Sequence, residues 1–268
     1  GQTRMIQTAF LGPGAQLLSR QEGGVNSTLL GGIHLLDGTS RLAYVKRLPP
    51  KRVVNELVAA ELARLLGFNV PESFIVLVPK TEYPLLAKEA PGQHLVCFGS
   101  QAVFGGQLAR RLDLSDPQVA HWFFTTLKEW QRIVVFDAWV ANADRHRANI
   151  LFTATLQLWL IDHDLAFLGD APFATLDAAA RTTNRFIELH EAAIALRLRH
   201  ELVDAVAPQV MEQASIVDIP GALSDCLAAS FMPASEHDAL ALYLSNRIAH
   251  LQRLVAEAVG VSVLDFRR

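Results

Sequence analysis

Between residues 144 and 162 an Asp, an Asn and a second Asp stand at spacings that can do chemistry. Asp144 precedes Asn149 by five residues in the polar stretch NADRHRAN, and Asp162 follows Asn149 by thirteen in the apolar run LIDHDLAF. Moving a phosphoryl group from ATP to a hydroxyl needs an acceptor-only group to orient the hydroxyl and take its proton. It also needs oxygen ligands that hold Mg²⁺ against the phosphates. A loop Asp, here Asp144, suits the first task, and Asn149 with Asp162 suits the second. As isolated residues Asp144 and Asn149 would simply cap turns. The nine histidines include no H-x-x-x-H pair and His163 lies in a strand-like run, so a zinc site or a His/Asp metal hydrolase is not indicated.

These residues need elements to hold them. STLLGGIHLLDGTSRLAYVKRL alternates loosely and turns at Asp37-Gly38, which predicts a hairpin. In VVNELVAAELARLLGF the apolar residues Val54, Leu57, Val58, Leu62, Leu65 and Leu66 recur at helical spacing, with Gly67 as the stop and Pro71 beyond it. ESFIVLVP and YPLLAKEAPG read as two more short strands. After Gly92 helical patterns dominate, over about Asp116–Asn142, Glu188–Val206, Pro220–Ala229 and Ser235–Val259. ANILFTATLQLWLIDHDLAF interrupts them as a small hairpin. A small mixed part is therefore followed by a larger helical one, with the boundary near Lys88–Gly92.

Lys46 closes the strand LAYVK, where an ammonium can reach the α- and β-phosphates of ATP. Upstream, Gly23 and Gly24 of EGGVNST permit close backbone approach, and Asn26, Ser27 and Thr28 offer hydrogen bonds to phosphate oxygens. The helix that follows carries two glutamates that could pair with it. The helical wheel puts Glu61 in the more buried position, beside Leu57, Val58 and Leu65, and leaves Glu56 as the alternative. The segment LLAKEAPG joins the two parts, so the backbone of Ala87–Glu89 is expected to meet the adenine edge.

The pattern D-x-x-x-x-N-x-D-R-H-x-x-N, from Asp137 to Asn149, closely resembles the catalytic loop of the HipA-like kinases. It also resembles that of the phosphatidylinositol 3-/4-kinases, which share their atypical kinase fold. LIDHDLAF resembles the metal-binding segment of the same group, usually I-D-x-G-L-A-F, with Asp164 standing where Gly is common. NELVAAELARLLGFNVPE is similar to the helix and following strand of the N-lobe, and IPGALSDCLAAS with LALYLSNRIAHL to the closing helices. The resemblance runs from about Gly23 to Leu254.

It implies an α+β, bilobal, protein-kinase-like fold of the HipA/phosphatidylinositol-kinase type. Residues 1–90 would form a nucleotide-clamping N-lobe, and residues 91–268 a mainly helical C-lobe with the catalytic loop and metal hairpin. It implies ATP and Mg²⁺ as cofactors, with the γ-phosphate passed to a hydroxyl, in the first instance a protein Ser or Thr. The family register favours Glu56 over Glu61 as the partner of Lys46. Asp137 reads as structural, while Arg145 and His146 either order the loop or face the phosphates. A lipid kinase and a nucleotide-binding pseudokinase are the alternatives. An antitoxin-type or regulatory protein partner is common in the family.

Composition narrows the field. The chain of 268 residues is 51% hydrophobic, which argues against disorder except at the ends, yet it has no apolar run long enough to span a membrane. A formal charge of −3 argues against a general nucleic-acid or anionic-membrane binder. The cluster Lys46, Arg47, Lys51 and Arg52 reads as a solvated edge. Cys97 and Cys226 make no disulfide framework and no zinc site, and GQTRMIQTAFLGPG lacks the pattern of a signal peptide, so a cytoplasmic location is expected.

Overall fold

The structure is a computed structural model that describes residues 6–18, 28–82, 92–103, 107–108 and 112–261. Strands β1 (Gln7–Leu11), β2 (Gln16–Leu18), β3 (Thr28–Leu35), β4 (Ser40–Lys46), β5 (Ser73–Pro79) and β6 (His94–Gln101) form one sheet in the order β1-β5-β6-β4-β3-β2. β1 also pairs with β3, so the sheet curls until it closes on itself. Alternate residues point inward, as a pleat requires. Ala9, Leu29, Ile33, Ala43, Val45, Phe74, Val76, Val78 and Cys97 fill the interior, sealed from solvent. Gly99 has its place there because a Cβ would lie 2.5 Å from Val76 Cγ2 across the β5–β6 pair.

The hairpin turn falls at Asp37-Gly38. Gly38 takes a φ of +83°, and the Asp37 carboxylate accepts from Thr39 N and Oγ1 at 2.9 and 2.7 Å. Helix α1 (Pro50–Leu65) starts with Pro at its first position, where no N–H is needed. It stops at Gly67, φ +80°, with Phe68 N bonded to Ala63 O and Gly67 N to Arg64 O. That is the Schellman arrangement. Val53, Val54, Leu57, Val58 and Leu62 pack α1 against Ile75 and Phe98 on the outside of the sheet, and against the helical part beyond.

That part holds α2 (Pro117–Thr126), α3 (Glu129–Trp139), α4 (Arg185–His190), α5 (Leu196–Glu201), α6 (Ala207–Ser215), α7 (Ile219–Asp225), α8 (Ala234–Ile248) and α9 (Leu251–Ala258). The three-stranded sheet β7-β8-β9, of Gln107–Leu108, Ile150–Phe152 and Leu158–Leu160, is embedded in it.

Several sequence expectations change. The helix expected over 116–142 is two, α2 and α3, broken at buried Leu127. That over 235–259 divides at Ala249-His250, and that over 188–206 becomes short α4 and α5 followed by a π-helical turn. Strands β1 and β2 had no clear alternation to announce them. The sheet continues through β6, past the 90/91 boundary, because β6 pairs with both β4 and β5. The chain leaves the sheet after Gln101, so the connection to the helices is not in the stretch around Glu89. Glu89 itself lies outside the described residues, as do Gly24, Ser27 and the strand expected from Tyr83.

Candidate active site

The site is organised around one buried ion pair. Asp137, in the last turn of α3, and Arg145 are 1% and 0% exposed, with Nε of Arg145 3.1 Å from the carboxylate. Nη2 donates to the same Asp137 at 3.1 Å. Nη1 donates to the carbonyls of Asn149 and Ile161 at 3.0 and 2.8 Å. The planar guanidinium thus ties the loop of Asp144 and Asn149 to the strand end that precedes Asp162. Arg145 orders the loop from within; it does not face the cleft.

The loop then presents its polar groups. Asp144 N donates to Asn142 Oδ1 at 3.2 Å, an Asx turn that aims the residue out of α3. The Asp144 carboxylate is partly exposed, ion-paired to Arg185 at the start of α4, with His146 Nε2 3.9 Å away. Asn149 is buried and its amide nitrogen points to Asp144 O at 3.4 Å, leaving Oδ1 as the atom available to a cation. Ile161 N bonds Asn149 O at 3.2 Å, and the next residue, Asp162, takes a φ of 62°.

Across from the loop, β4 delivers Lys46 and α1 delivers Glu56. Lys46 Nζ lies 2.7 Å from Asp162 Oδ1. Glu56 Oε2 accepts from His163 N at 2.9 Å, while Oε1 is buried with no hydrogen-bond partner. Glu56, Asp162 and Asp164 each offer a carboxylate oxygen within 4.8 Å of one another. The structure therefore gathers Lys46, Glu56, Asp144, Asn149 and Asp162 in one place. Lys46 makes its direct bond to Asp162, and Glu56 acts on it through nearby charge. Thr28, opposite Lys46 in the β3–β4 register, brings the end of the EGGVNST stretch to the same edge.

The wheel misranked the two glutamates. Glu56 is 2% exposed, whereas the Glu61 side chain is 10% exposed and pairs with Arg64 at 2.5 Å, away from Lys46. The first half of α1 is covered on two sides, by the sheet and by the chain after Asp162, so a single apolar face does not describe it.

The electrostatics follow from this crowding. Burial pushes the Glu56 carboxyl up to about 7, against the pull of Lys46. Asp164 rises to about 6 through burial and the charges of Asp162 and Glu56. Burial opposes the Lys46 charge, but Asp162 and Glu56 outweigh it and hold its pKa above the ordinary value. Asp162 moves down, as Lys46 overcomes its desolvation. His163, desolvated and near Arg145, falls to about 3 and is neutral. The Asp162 carboxylate and the Asn149 amide oxygen, beside a cationic lysine, are hard oxygen donors that could hold a divalent cation. The unpartnered Glu56 oxygen shows that the cluster has unused acceptor capacity.

Sequence reasoning missed Arg185, Arg52 and Asn55. Arg185 joins Asp144 from 41 residues away, with no local signal. Arg52 and Lys51 are not a solvated edge. Arg52 pairs with Asp164 and Asp170, and Lys51 donates to Gly169 O at 2.9 Å.

Comparison with known proteins bears on the fold and the family. The chain is similar in fold to the crystal structure of a Helicobacter pylori proinflammatory kinase, CtkA. The TM-score is 0.55 at 12% identity, over 91% of this chain and 96% of that one. The FAT and kinase domain of CtTel1 aligns at a TM-score of 0.43 and 14% identity, over 96% of this chain and 23% of that one. No curated protein matches by sequence. The profile of the HipA-like kinases matches residues 37–185, from the β3–β4 turn through the loop of Asp144 and Asn149 and past Asp162. That stretch is more than half of the 268 residues, and the chain belongs to the HipA-like kinase family.

Proposed function

We propose that the protein transfers the γ-phosphate of ATP, with Mg²⁺, to a hydroxyl, that of a Ser or Thr in a protein. The observation that carries this reading is the convergence of Lys46, Asp162, Asn149 and Asp144 where Arg145 ties the loop to the strand end before Asp162. Asn149 and Asp162 would hold Mg²⁺, which neutralises phosphate charge when bound. Lys46 would exchange its bond to Asp162 for one to the α/β-phosphates, with Glu56 as the nearby helix carboxylate. Asp144 accepts the hydroxyl proton, which requires Arg185 to yield one carboxylate oxygen. We read the β1–β6 sheet with α1 as the nucleotide-clamping lobe, residues 1–90 extended through β6, over the helical lobe. The adenine edge is then met by the chain leaving β6 at 101–103. Lys51 and Arg52 are engaged internally and so do not offer a basic patch to lipid, which favours a protein acceptor over a lipid one. No helix of the described residues is long and apolar enough to cross a membrane.

Intact mass of the protein and of candidate acceptors after incubation with ATP and Mg²⁺ tests the reaction, and separates phosphoryl from adenylyl transfer. Asp144→Asn should keep Mg²⁺-dependent nucleotide binding and lose about 10²–10⁴ in rate, the worth of a positioned proton acceptor. Asp162→Asn should abolish transfer. Equal ATP affinity with Mg²⁺ and with chelator, or full turnover by Asp144→Asn, would refute the assignment.

A further inference from the structure

Helix α1 holds more than Glu56 against the site. Its first turns also grip the chain that follows Asp162. Arg52 donates to both carboxylate oxygens of Asp170, at 2.9 and 2.8 Å, and its Nη1 lies 3.3 Å from Asp164 Oδ2. Asn55, wholly buried, donates to Asp164 O at 2.8 Å and Gly169 O at 3.0 Å. Lys51 bonds both Asn55 Oδ1 and Gly169 O, and its ammonium sits 3.7 Å over the Phe173 ring.

The gripped segment needs holding. Asp162, Phe167 and Leu168 have φ values of 62°, 52° and 57°, a region that residues with a Cβ avoid. A backbone of that kind persists only where its surroundings over-determine it. Asp164, where the resembled segment has Gly, would by itself add a like charge beside Asp162 and Glu56. Arg52, only 19% exposed, sits where it compensates that charge. The Arg52–Asp170 contact alone would be a surface ion pair of little consequence, since Asp170 is 64% exposed. The buried Asn55 and the second contact at Asp164 set this arrangement apart from one.

We propose that Arg52 is a positioning residue: with Asn55 it clamps residues 162–170 to α1, gripping the segment at Asp164 and Asp170, and thereby fixes Asp162 toward its cation. The clamp itself is independent of the activity; its consequence for the cation rests on the function proposed above.

The test pairs two readouts on the full chain. The first is amide hydrogen exchange of Ala166, Phe167, Leu168 and Gly169 in nucleotide-free protein, all of which have backbone partners. The second is the Mg²⁺ concentration that gives half-maximal ATP binding. Arg52→Ala should speed the exchange and raise the Mg²⁺ requirement, each by about three- to tenfold, the size expected for a coupled contact. Arg52→Lys should recover only part, because an ammonium cannot bridge two carboxylates as a fork does. Asp164→Gly should shift both readouts in the same direction by less, and should add little on top of Arg52→Ala. It also serves as the second probe if Arg52→Ala fails to fold. Arg64→Ala, at the far end of α1, should be silent in both.

Unchanged exchange in Arg52→Ala and Asp164→Gly overturns the clamp. Faster exchange with an unchanged Mg²⁺ requirement overturns the positioning role. Wild-type protein that shows no Mg²⁺-dependent ATP binding would sink the kinase reading instead, and the exchange measurement would still decide the clamp.

Discussion

The closed sheet and the seam between α1 and the loop of Asp144 and Asn149 both bury side chains from water, and they are built from opposite materials. The sheet interior is aliphatic and aromatic, with Ile33, Val76 and Phe74 at its centre. The seam buries Asn55, Glu56, Asp137, Asn142, Arg145, Asn149 and His163. Apolar packing tolerates small adjustments, because its cost scales with area and cavity. A buried polar network does not, because each member removed strands a partner in low dielectric. The scaffold can therefore drift in sequence where the site cannot. The orphaned Glu56 oxygen and the left-handed backbone at Asp162 mark where the site sacrifices local stability for geometry.

The largest effect should come from opening the seam at its hub. Arg145→Met leaves Asp137 buried without a counter-charge, at a cost of about 3–5 kcal/mol. It also frees the carbonyls of Asn149 and Ile161 from their shared donor. Urea unfolding should show the loss, and transfer should vanish in whatever remains folded. Pairing it with Asp137→Leu should recover part of the stability and none of the activity. Should Arg145→Met prove as mild as a conservative core truncation, the contrast between the regions fails.

A smaller effect is expected on the other side of the comparison. Ile33→Val removes one methyl group from the closed sheet, and about 0.5–1.5 kcal/mol should be lost. Nucleotide affinity and its Mg²⁺ dependence should stay at the wild-type level in isothermal titration. A change in either would mean that the sheet interior is coupled to Lys46 on its outer edge.

What the sequence disclosed divides along the same line. Asp144, Asn149 and Asp162 were legible because a loop and a short hairpin bring them together by local geometry, and the spacing records it. Lys46 was legible as a strand-end cation. The α1 clamp was not, because Arg52 and Asn55 find their partners more than a hundred residues away. The closure of β1 on β3 spans a shorter gap, Ala9 to Leu35, but no local pattern announces it either. The break between α2 and α3 has no Pro or Gly to signal it. It is made by tertiary packing, with Leu127 buried and Trp130 Nε1 bonded back to Phe124 O at 2.9 Å. The Glu56 and Glu61 ranking failed for a related reason: a wheel assumes one buried face, and the seam gives α1 a second.

The last expected effect is one of pH, and it distinguishes the regions by sign. Glu56 has its folded pKa raised from 4.5 to about 7 by burial, against the pull of Lys46. Between those values the folded chain binds more protons than the unfolded one. The stability this group contributes is thus fully present below pH 4.5 and is lost as pH rises through 7. Asp164, raised to about 6, acts in the same sense over a lower window. Glu56→Gln cannot titrate, yet retains an oxygen to accept from His163 N. Its melting temperature relative to wild type should therefore be higher at pH 8 than at pH 5, by roughly a few degrees. Among the described residues of the closed sheet the one titratable interior group is Cys97, whose thiol burial pushes up to about 12, far outside this range. Ile33→Val should accordingly keep the same offset from wild type at both pH values. An offset for Glu56→Gln that is flat with pH would mean that Glu56 is ionised throughout, with Lys46 supplying the full counter-charge. In that case the seam holds its carboxylates by pairing and not by protonation.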